Sequence, residues 1–284
     1  MAIPITAKTR TAVLFGYPIG HSFSPVFQNA ALQESGIDAV YICLQIAPER
    51  LRPAVETLRS PNFLGANLTI PHKEAALSFL DEVAPTALKT GSVNTIVNCG
   101  GRLRGETTDG AAFLRSLKEE IGVEPACRRV FLVGAGGAGR AIAFALVEAD
   151  ASVYLANRSV EKAEKLMRDL QRSYPGKAIS LVPFSERRSF IREEGMDVLI
   201  DATSIGLSNE EELFAGSDLP AGLIVCDLIY HHKTRLIEAA EKRGLKNMGG
   251  LGMLVHQGAL SFELWTGRKA PVAAMFASVK NYVG

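Results

Sequence analysis

The sequence predicts an α/β protein with two lobes whose sheets are mainly parallel. Segments with strand-like and helix-like patterns alternate along the whole chain, which is typical of α/β folds. The chain has 284 residues, more than one hydrophobic core usually supports, and its 47% of hydrophobic residues can fill two cores. A glycine-rich motif opens at Gly134, near the middle of the chain, so a separate domain is expected before it.

The first lobe is predicted to contain four strands and three helices. Short apolar runs rich in β-branched residues indicate the strands, and apolar residues at helical spacing indicate the helices. The strands are residues 11–16, 39–46, 65–70 and 92–98, and the helices are residues 25–35, 48–58 and 72–80.

The second lobe is expected to begin near Asp109 and to continue the same alternation. Its strands are residues 129–133, 152–156, 178–182, 197–200 and 223–228. The helices from Asp109 onward are residues 110–120, 140–149, 160–172, 233–243, 251–265 and 272–282.

The composition argues against nucleic-acid binding and against a disulfide-linked secreted protein. Lys+Arg 31 against Asp+Glu 30 leaves a net charge of +1, and no basic block is present. The four cysteines are dispersed without a CxxC pair, so buried free thiols in a reducing cytoplasm are expected. They are Cys43, Cys99, Cys127 and Cys226.

Neither a membrane segment nor a metal site is expected. No apolar segment has the uninterrupted length of a membrane span, and no signal-peptide core follows the basic residues near the start. His231 and His232 are adjacent rather than one helical turn apart, so they are interpreted as loop residues beside Tyr230. His72 and His256 are expected to pack or to contact solvent.

The motif GAGGAG, residues 134–139, is predicted to form a tight glycine turn between a strand and a helix. Gly134 permits the turn, Gly136 lets backbone amides approach a pyrophosphate, and Gly139 lets the helix lie close to the strand. The N-terminus of the helix adds a dipole that favours an anion. The motif therefore predicts a dinucleotide site, in which Ala135, Gly137 and Ala138 complete the loop.

The segment Ala156–Ser159 ends the next strand and indicates which dinucleotide binds. NAD-specific folds commonly carry an acidic residue there for the ribose hydroxyls, whereas this chain has Asn157, Arg158 and Ser159. A guanidinium and a hydroxyl suit a 2′-phosphate, and no carboxylate is expected there to repel it. NADP is the predicted cofactor, with NAD as a weaker alternative.

Two polar segments of the first lobe are candidates for substrate binding. Ser24 is predicted to cap the helix that begins at Pro25, although Ser22 and Ser24 could also bind a carboxylate at that helix N-terminus. Strand alternation places Asn67 and Thr69 on one face. Residues 92–95 are predicted to repeat this polar alternation on another strand.

Lys73 follows Asn67 and Thr69 after Pro71, in the first turn of a predicted helix. A cation opposes the positive end of a helix, so the position is unusual for a structural lysine. On this segment alone, a solvated lysine and a functional lysine are equally well supported.

Taken together, these segments resemble the shikimate dehydrogenase family, which includes quinate/shikimate dehydrogenases. The resemblance runs from Val13 to the C-terminal helices and rests on motifs in the order of the family. They are HSFSP, GANLTIPHK, GSVNT, TTDG, GAGGAGRA, ANRS, DATSIGL, DLIY and GGLGMLVHQGALSFELW. The resemblance implies an N-terminal α/β substrate-binding domain and a Rossmann-type doubly wound domain that binds NADP. In the family the C-terminal helices return to the first lobe, so residues 1–108 with 251–284 are expected to form the substrate-binding domain and residues 109–250 the nucleotide-binding domain.

The resemblance also implies an activity, the reversible reduction of 3-dehydroshikimate to shikimate. Lys73 and Asp109 would form the catalytic pair, and Tyr230 would help Ser22 and Ser24 to bind the substrate carboxylate. The ring hydroxyls would be bound by Asn67, Thr69, Asn94 and Gln257. The cofactor would contact the loop Gly134, Ala135, Gly136, Gly137, Ala138 and Gly139, together with Asn157, Arg158, Ser159 and Lys162.

Several alternatives stay open at this stage. Lys73 is either a general acid or an electrostatic stabiliser of the alkoxide, and Asp109 could instead cap the helix 110–120. A broader quinate/shikimate dehydrogenase would share every motif, whereas a non-catalytic nucleotide-sensing relative would be expected to lack Lys73 or Asp109. The chain is expected to act as a monomer or a homodimer in the cytoplasm, without nucleic-acid or membrane partners.

The chain departs from the family pattern at three positions. Thr107 stands where asparagine is usual, Ser159 where threonine is frequent, and Lys162 where a second arginine is frequent. Thr107 is expected to alter the loop beside Asp109 without abolishing activity. Lys162 keeps the charge but loses bidentate geometry, so a softened NADP preference is expected.

Overall fold

A computed structural model describes residues 4–206, 212–280 and 282. The chain divides into two compact units, and each is described by itself. The first, here called unit 1, comprises the residues up to Thr108 and those from Val255 onward; the second, unit 2, is Asp109–Leu254. Leu207, the last residue of the motif DATSIGL, and Asn281, in the predicted helix 272–282, lie outside the described residues.

In unit 1, the residues that the structure describes form six strands of one sheet. They are β1 Arg10–Gly16, β2 Ala39–Gln45, β3 Phe63–Leu68, β4 Glu82–Val83, β5 Thr95–Cys99 and β6 Arg102–Glu106. Four α-helices lie between β1 and β5 in the chain. They are α1 Ser24–Glu34, α2 Leu51–Thr57, α3 His72–Ala75 and α4 Pro85–Thr90.

The sheet of unit 1 is mixed, in the order β2-β1-β3-β5-β6-β4. Strand β1 pairs in parallel with β2 and β3, whereas β5 is antiparallel to both β3 and β6. Strands β5 and β6 are joined through Gly100 and Gly101, which both have positive φ. Such a two-residue turn forces the chain back on itself, so the parallel arrangement expected from the sequence holds only in part of this sheet.

Several predicted boundaries in unit 1 were wrong. The strand predicted over 65–70 ends at Leu68, and the strand predicted over 92–98 begins only at Thr95. The Val93 amide donates instead to the Lys73 carbonyl, so residues 92–94 form a buried connection without the expected alternation. The predicted helices 48–58 and 72–80 each change between 3₁₀ and α geometry. Elements β4, α4 and β6 were missed.

The described residues of unit 2 form six strands that alternate with helices. The strands are β7 Arg129–Val133, β8 Ser152–Ala156, β9 Ile179–Leu181, β10 Val198–Asp201, β11 Ile224–Asp227 and β12 Asn247–Met248. The helices are α5 Asp109–Ile121, α6 Gly137–Glu148, α7 Val160–Ser173, α8 Arg187–Glu193 and α9 Arg235–Lys242. Strand β12 and helix α8 were missed.

All neighbouring strands in the sheet of unit 2 are parallel, in the order β12-β11-β10-β7-β8-β9. The order reverses beside β7, where the carboxyl ends of β7 and β10 meet, and ligands of doubly wound folds bind at such a point. Phe131 is fully buried in β7, and Leu199 is fully buried in β10. The predicted Rossmann-type architecture is confirmed.

The last two helices are α10 Leu251–Thr266 and α11 Val272–Val279. Helix α10 crosses the boundary between the units at Leu254 and Val255. Helix α11 packs against α1 within unit 1 and ends before the predicted residue 282. Among the described helices, none has both the length and the apolar character needed to cross a membrane.

Candidate functional site

A buried network of polar side chains lies within unit 1. We call it the polar cluster, and its members lie on β2, β3, β5 and α10, in the residue before β5 and in the loop after β6. They are Tyr41, Asn67, Asn94, Thr95, Thr108, Gln257 and Ser261. Gln257 is half-buried and the other members are buried.

Asn67 is held from four directions. Its Nδ2 lies 2.9 Å from Ser261 Oγ and 3.1 Å from both Thr95 Oγ1 and the Asn94 carbonyl. Its Oδ1 accepts a hydrogen bond of 2.9 Å from the Tyr41 hydroxyl. The amide hydrogens are therefore engaged within the protein, and the remaining lone pair of Oδ1 is what Asn67 can offer to a ligand hydroxyl.

Asn94 and Thr108 bond to each other twice. Asn94 Nδ2 donates to Thr108 Oγ1 at 2.8 Å, and the Thr108 amide donates to Asn94 Oδ1 at 2.9 Å. Thr108 Oγ1 donates to the Gln257 carbonyl at 3.1 Å, and Asn94 Nδ2 lies 3.5 Å from Gln257 Oε1. These contacts fix α10 against the loop that follows β6.

The local structure explains why these side chains converge. Asn67 and Thr95 are paired opposite each other in the antiparallel register of β3 and β5. Gln257 and Ser261 are four residues apart on α10, so they lie on one face of the helix. Ser261 Oγ also donates to the Gln257 carbonyl at 2.9 Å.

The paired serines adjoin the polar cluster, but not with the predicted cap. Helix α1 begins at Ser24 itself, with Phe23 before it and no side-chain capping bond. The prediction that Ser24 caps the helix is therefore wrong, because the helix starts one residue earlier. The Ser24 amide instead donates to Ser22 Oγ at 3.2 Å, and the Ser24 hydroxyl hydrogen-bonds to Tyr41.

Cys43 stands beside Ser22 on β2. Burial raises the pKa of the Cys43 thiol to about 11, and its hydrogen bond with Ser22 partly opposes this shift. The thiol is therefore protonated at neutral pH. It provides a neutral, weakly polar neighbour to Ser22 rather than a nucleophile.

Thr69 and Lys73 lie beyond the end of β3. The Thr69 amide donates to the Phe15 carbonyl, and its methyl group faces Gly16, where an added Cβ would lie 2.4 Å from Thr69 Cγ2. Lys73 is half-buried in the four-residue helix α3. Its carbonyl accepts the Val93 amide at 2.8 Å, so the backbone of Lys73 is tied to the residue before Asn94.

His72, next to Lys73, has the structural role expected of it. It is buried, its Nε2 lies 2.8 Å from the Ile46 carbonyl, and burial lowers its pKa. His256 is also buried and packs edge-on against Phe276 with ring centroids 5.4 Å apart. The packing interpretation of both histidines is confirmed.

Asp109 and Tyr230 belong to unit 2, whereas Lys73 and the paired serines belong to unit 1. Asp109 is buried and is the first residue of α5. Tyr230 is half-buried after β11, and its ring lies 4.0 Å from the His231 ring, centroid to centroid. His232 Nε2 lies 3.0 Å from the Gly206 carbonyl, and no cluster of potential metal ligands occurs in the described parts of the chain.

Three glycines of the GAGGAG loop have different surroundings. Gly134 has φ +112, and a Cβ there would lie 2.7 Å from the Ala202 carbonyl oxygen. A Cβ at Gly139 would lie 2.1 Å from the Gly134 carbonyl oxygen, so helix and turn are in close contact. A Cβ at Gly136 would meet no protein atom within 4 Å.

The space at Gly136 is therefore open to a ligand rather than filled by the protein. The first amides of the twelve-residue helix α6, at Gly137, Ala138 and Gly139, have no acceptor within the helix. Together with the helix dipole they suit an anionic pyrophosphate, so the residues present fit a dinucleotide. The Ala135 amide is already bonded to Asn157 Oδ1 at 3.0 Å, so Asn157 supports the loop.

Ser159 is the N-cap of α7, where Oγ accepts the Lys162 amide at 3.3 Å. Its hydroxyl donates to Glu161 Oε2 at 2.7 Å. A carboxylate therefore lies beside Ser159 although the segment Ala156–Ser159 contains none, because the helical turn brings Glu161 back to Ser159. Arg158 and Lys162 are exposed beside them.

Four members of the polar cluster were missed from the sequence: Tyr41, Thr95, Thr108 and Ser261. Thr108 and Thr95 stand within or beside motifs already singled out, and Ser261 lies one turn after Gln257 on a predicted helix. The spacing of four residues between Gln257 and Ser261 was a signal that could have found the latter. Tyr41 had no such signal, because only the pairing of β2 in the sheet brings it near Ser24 and Asn67.

Family models match three parts of the chain. The model described as the shikimate dehydrogenase substrate binding domain matches residues 14–96. The model described as shikimate / quinate 5-dehydrogenase matches residues 116–211, and that of the shikimate 5′-dehydrogenase C-terminal domain matches residues 250–280.

Similar proteins span nearly the whole chain. The shikimate dehydrogenase (NADP+) of Desulforamulus reducens is 42% identical and covers 95% of this chain and 94% of its own length. A shikimate dehydrogenase crystallised with NADP+ has a TM-score of 0.91 at 35% identity, covering 98% of this chain and 97% of that chain. The Thermus thermophilus enzyme in complex with NADP(H) and shikimate has a TM-score of 0.86 at 34% identity, covering 96% and 100% respectively.

Proposed function

The chain belongs to the shikimate dehydrogenase family, and on this basis we propose that it catalyses the reversible, NADP-dependent reduction of 3-dehydroshikimate to shikimate. The protein is therefore an oxidoreductase that acts on a CH–OH group. The observation that carries the proposal is the polar cluster of unit 1, in which amides and hydroxyls from separate elements support one another. Such convergent polar groups in an apolar surrounding fit a small polyhydroxylated ring.

The reaction divides the work between cofactor and protein. NADPH, when bound, supplies the hydride that reduces the ring carbonyl carbon, and the protein has to provide a proton for the oxygen. Lys73 is the proposed proton donor or alkoxide stabiliser, with Asp109 as its catalytic partner. Hydride and proton together convert the carbonyl to the hydroxyl, which balances the reaction.

The remaining roles follow the same division. Ser22 and Ser24, with Tyr230, are proposed to bind the substrate carboxylate, and Asn67, Thr69, Asn94 and Gln257 to bind the ring hydroxyls. Support comes from the position of Ser24 at the start of α1 and from the bonds that orient Asn67 and Asn94. Orientation of these side chains before binding reduces the entropy lost when substrate binds.

The cofactor is proposed to bind unit 2 at the amino end of α6. The open space at Gly136 and the first-turn amides of the helix support the placement of the pyrophosphate. Arg158, Ser159 and Lys162 are proposed to hold the 2′-phosphate, and Asn157 to hold the loop at Ala135. We further propose the two domains to be residues 1–108 with 251–284 and residues 109–250.

The defining experiment measures nicotinamide absorbance with shikimate or quinate, each paired with NADP or NAD. We expect shikimate with NADP to be the most efficient pair. A buried quinate hydroxyl without a partner would cost about 1–3 kcal/mol. Faster turnover of quinate with NAD would favour the broader quinate/shikimate dehydrogenase instead.

Lys73→Met tests the chemical step. The change keeps much of the side-chain volume and removes the ammonium, so kcat should fall by roughly 10²–10⁴-fold while KM for shikimate changes far less. NADP binding should be retained. Lys89→Met removes the same charge from an exposed position in α4 and serves as the control. A rise in KM alone would reduce Lys73 to a binding residue.

We also propose that the enzyme acts in the cytoplasm as a monomer or a homodimer. The four cysteines are free thiols, which suits a reducing compartment. The expectation that all four are buried is wrong, because Cys43 is half-buried, Cys99 and Cys127 are exposed, and Cys226 alone is buried. Light scattering coupled to gel filtration would determine the oligomeric state.

A further inference from the structure

Glu161 lies in the first turn of α7, beside the residues proposed to hold the 2′-phosphate of NADP. It is exposed, and its Oε2 is 2.7 Å from Ser159 Oγ. None of the family motifs includes it, and the reaction described above assigns it no role. Its contact with Ser159 nevertheless changes what the phosphate site can offer.

The hydroxyl of Ser159 has a single hydrogen, and it is donated in the hydrogen bond to Glu161. The oxygen also accepts the Lys162 amide at 3.3 Å. In this arrangement Ser159 presents a lone pair, not a hydrogen, to any incoming group. A phosphate offers acceptor oxygens, so it can bond to Ser159 only after the hydroxyl turns away from Glu161.

The charge of Glu161 acts in the same direction. The hydrogen bond from Ser159 holds the pKa of this carboxyl below its usual range, so it is ionised at neutral pH. A phosphate monoester carries about −1.5 to −2 charges at pH 7. The two anions repel each other across the same hydroxyl, although solvent and salt screen the interaction.

The free 2′-hydroxyl of NAD meets the opposite situation. It is a hydrogen-bond donor, and NAD-specific folds use a carboxylate after the second strand to accept this hydrogen. Glu161 supplies a carboxylate five residues after the end of β8. We propose that Glu161 is a specificity-determining residue that opposes the 2′-phosphate of NADP and accepts the 2′-hydroxyl of NAD. The inference rests on the proposed placement of the 2′-phosphate at Arg158 and Ser159.

The test measures binding of two cofactor fragments by calorimetry at low salt. Adenosine 2′,5′-bisphosphate carries the 2′-phosphate, whereas ADP has a free 2′-hydroxyl. In Glu161→Gln we expect the bisphosphate to bind about 5-fold more tightly, and ADP to bind equally well or about 2-fold more weakly. Glu161→Ala also releases the Ser159 hydroxyl, so its gain for the bisphosphate should be at least as large.

Glu164→Gln is the matched control, because it removes the same charge one turn further along α7, where Glu164 pairs with Arg168 at 3.4 Å. This variant should bind both fragments with the affinity of the wild type. An equal gain in Glu164→Gln, or no gain in either Glu161 variant, would overturn the inference. Arg158→Ala separates this failure from that of the underlying site: if it does not weaken bisphosphate binding, the proposed phosphate site itself is wrong.

Discussion

Thr107 and Thr108 are adjacent residues that differ in the hydrogen bonding of their hydroxyls. Thr108 Oγ1 accepts from Asn94 and donates to the Gln257 carbonyl. Thr107 Oγ1 is buried and has no hydrogen-bond partner among the residues that the structure describes. Burying a polar group without a partner costs free energy, so the residue that departs from the family pattern is a local source of instability.

We therefore expect Thr107→Val to stabilise the protein. Valine has the same shape and lacks the unpaired hydroxyl, so the free energy of unfolding should rise by about 1 kcal/mol, as measured by denaturant titration. Thr108→Val should instead lower it by about 1–3 kcal/mol, because two partners lose their bonds. If Thr107→Val were as harmful as Thr108→Val, the Thr107 hydroxyl would have to be bonded in solution.

At the scale of elements, the GAGGAG loop that leads from β7 into α6 contains two glycines that are required for different reasons. Gly139 is required by the protein, because the Gly134 carbonyl occupies the space of a side chain. Gly136 is not, because nothing in the protein approaches it and its φ of −77 is accessible to alanine. We expect that glycine is needed at position 136 to make room for the cofactor.

Alanine at each glycine should separate stability from binding. Gly139→Ala should lower the free energy of unfolding by roughly 1–3 kcal/mol through overpacking. Gly136→Ala should leave stability unchanged or slightly higher, but weaken NADP binding, as followed by titration of cofactor fluorescence. Unchanged NADP affinity in a folded Gly136→Ala protein would move the pyrophosphate away from this turn.

At the scale of the whole molecule, we expect stability to depend on pH because of a pair of buried carboxyls. Asp201 and Asp227 end the adjacent parallel strands β10 and β11 in direct register. Burial, reinforced by the charge of Asp227, raises the pKa of Asp201 to about 7. Burial also raises the pKa of Asp227, although the Thr234 hydroxyl donates to it at 2.6 Å.

This pair predicts that stability falls as pH rises from about 4 to about 7 through Asp201. In that window the folded protein holds the proton and the unfolded chain, with its ordinary aspartate pKa, has released it. Asp201→Asn should flatten this part of the profile of thermal midpoint against pH, measured by circular dichroism. Asp38→Asn, at an exposed position of unit 1, is the control. If the profiles of Asp201→Asn and the wild type were parallel, Asp201 would not be the source of this pH dependence.

The sequence by itself determined the features that depend on neighbouring residues. The order of the motifs identified the family, and the glycine spacing predicted a tight turn at Gly134 and close contact at Gly139. It also predicted strands β7 and β8 with their observed bounds. These features follow from local backbone geometry and side-chain volume, which a short segment specifies.

Only the tertiary structure decided which polar groups meet. Asn67 and Ser261 are 194 positions apart in sequence and bond at 2.9 Å, because the pairing of β3 with β5 and the packing of α10 bring them together. The facing carboxyls of Asp201 and Asp227 likewise depend on strand register, and the mixed sheet of unit 1 depends on the turn between β5 and β6. Strand order and register arise from long-range packing, which periodicity along a single chain does not specify.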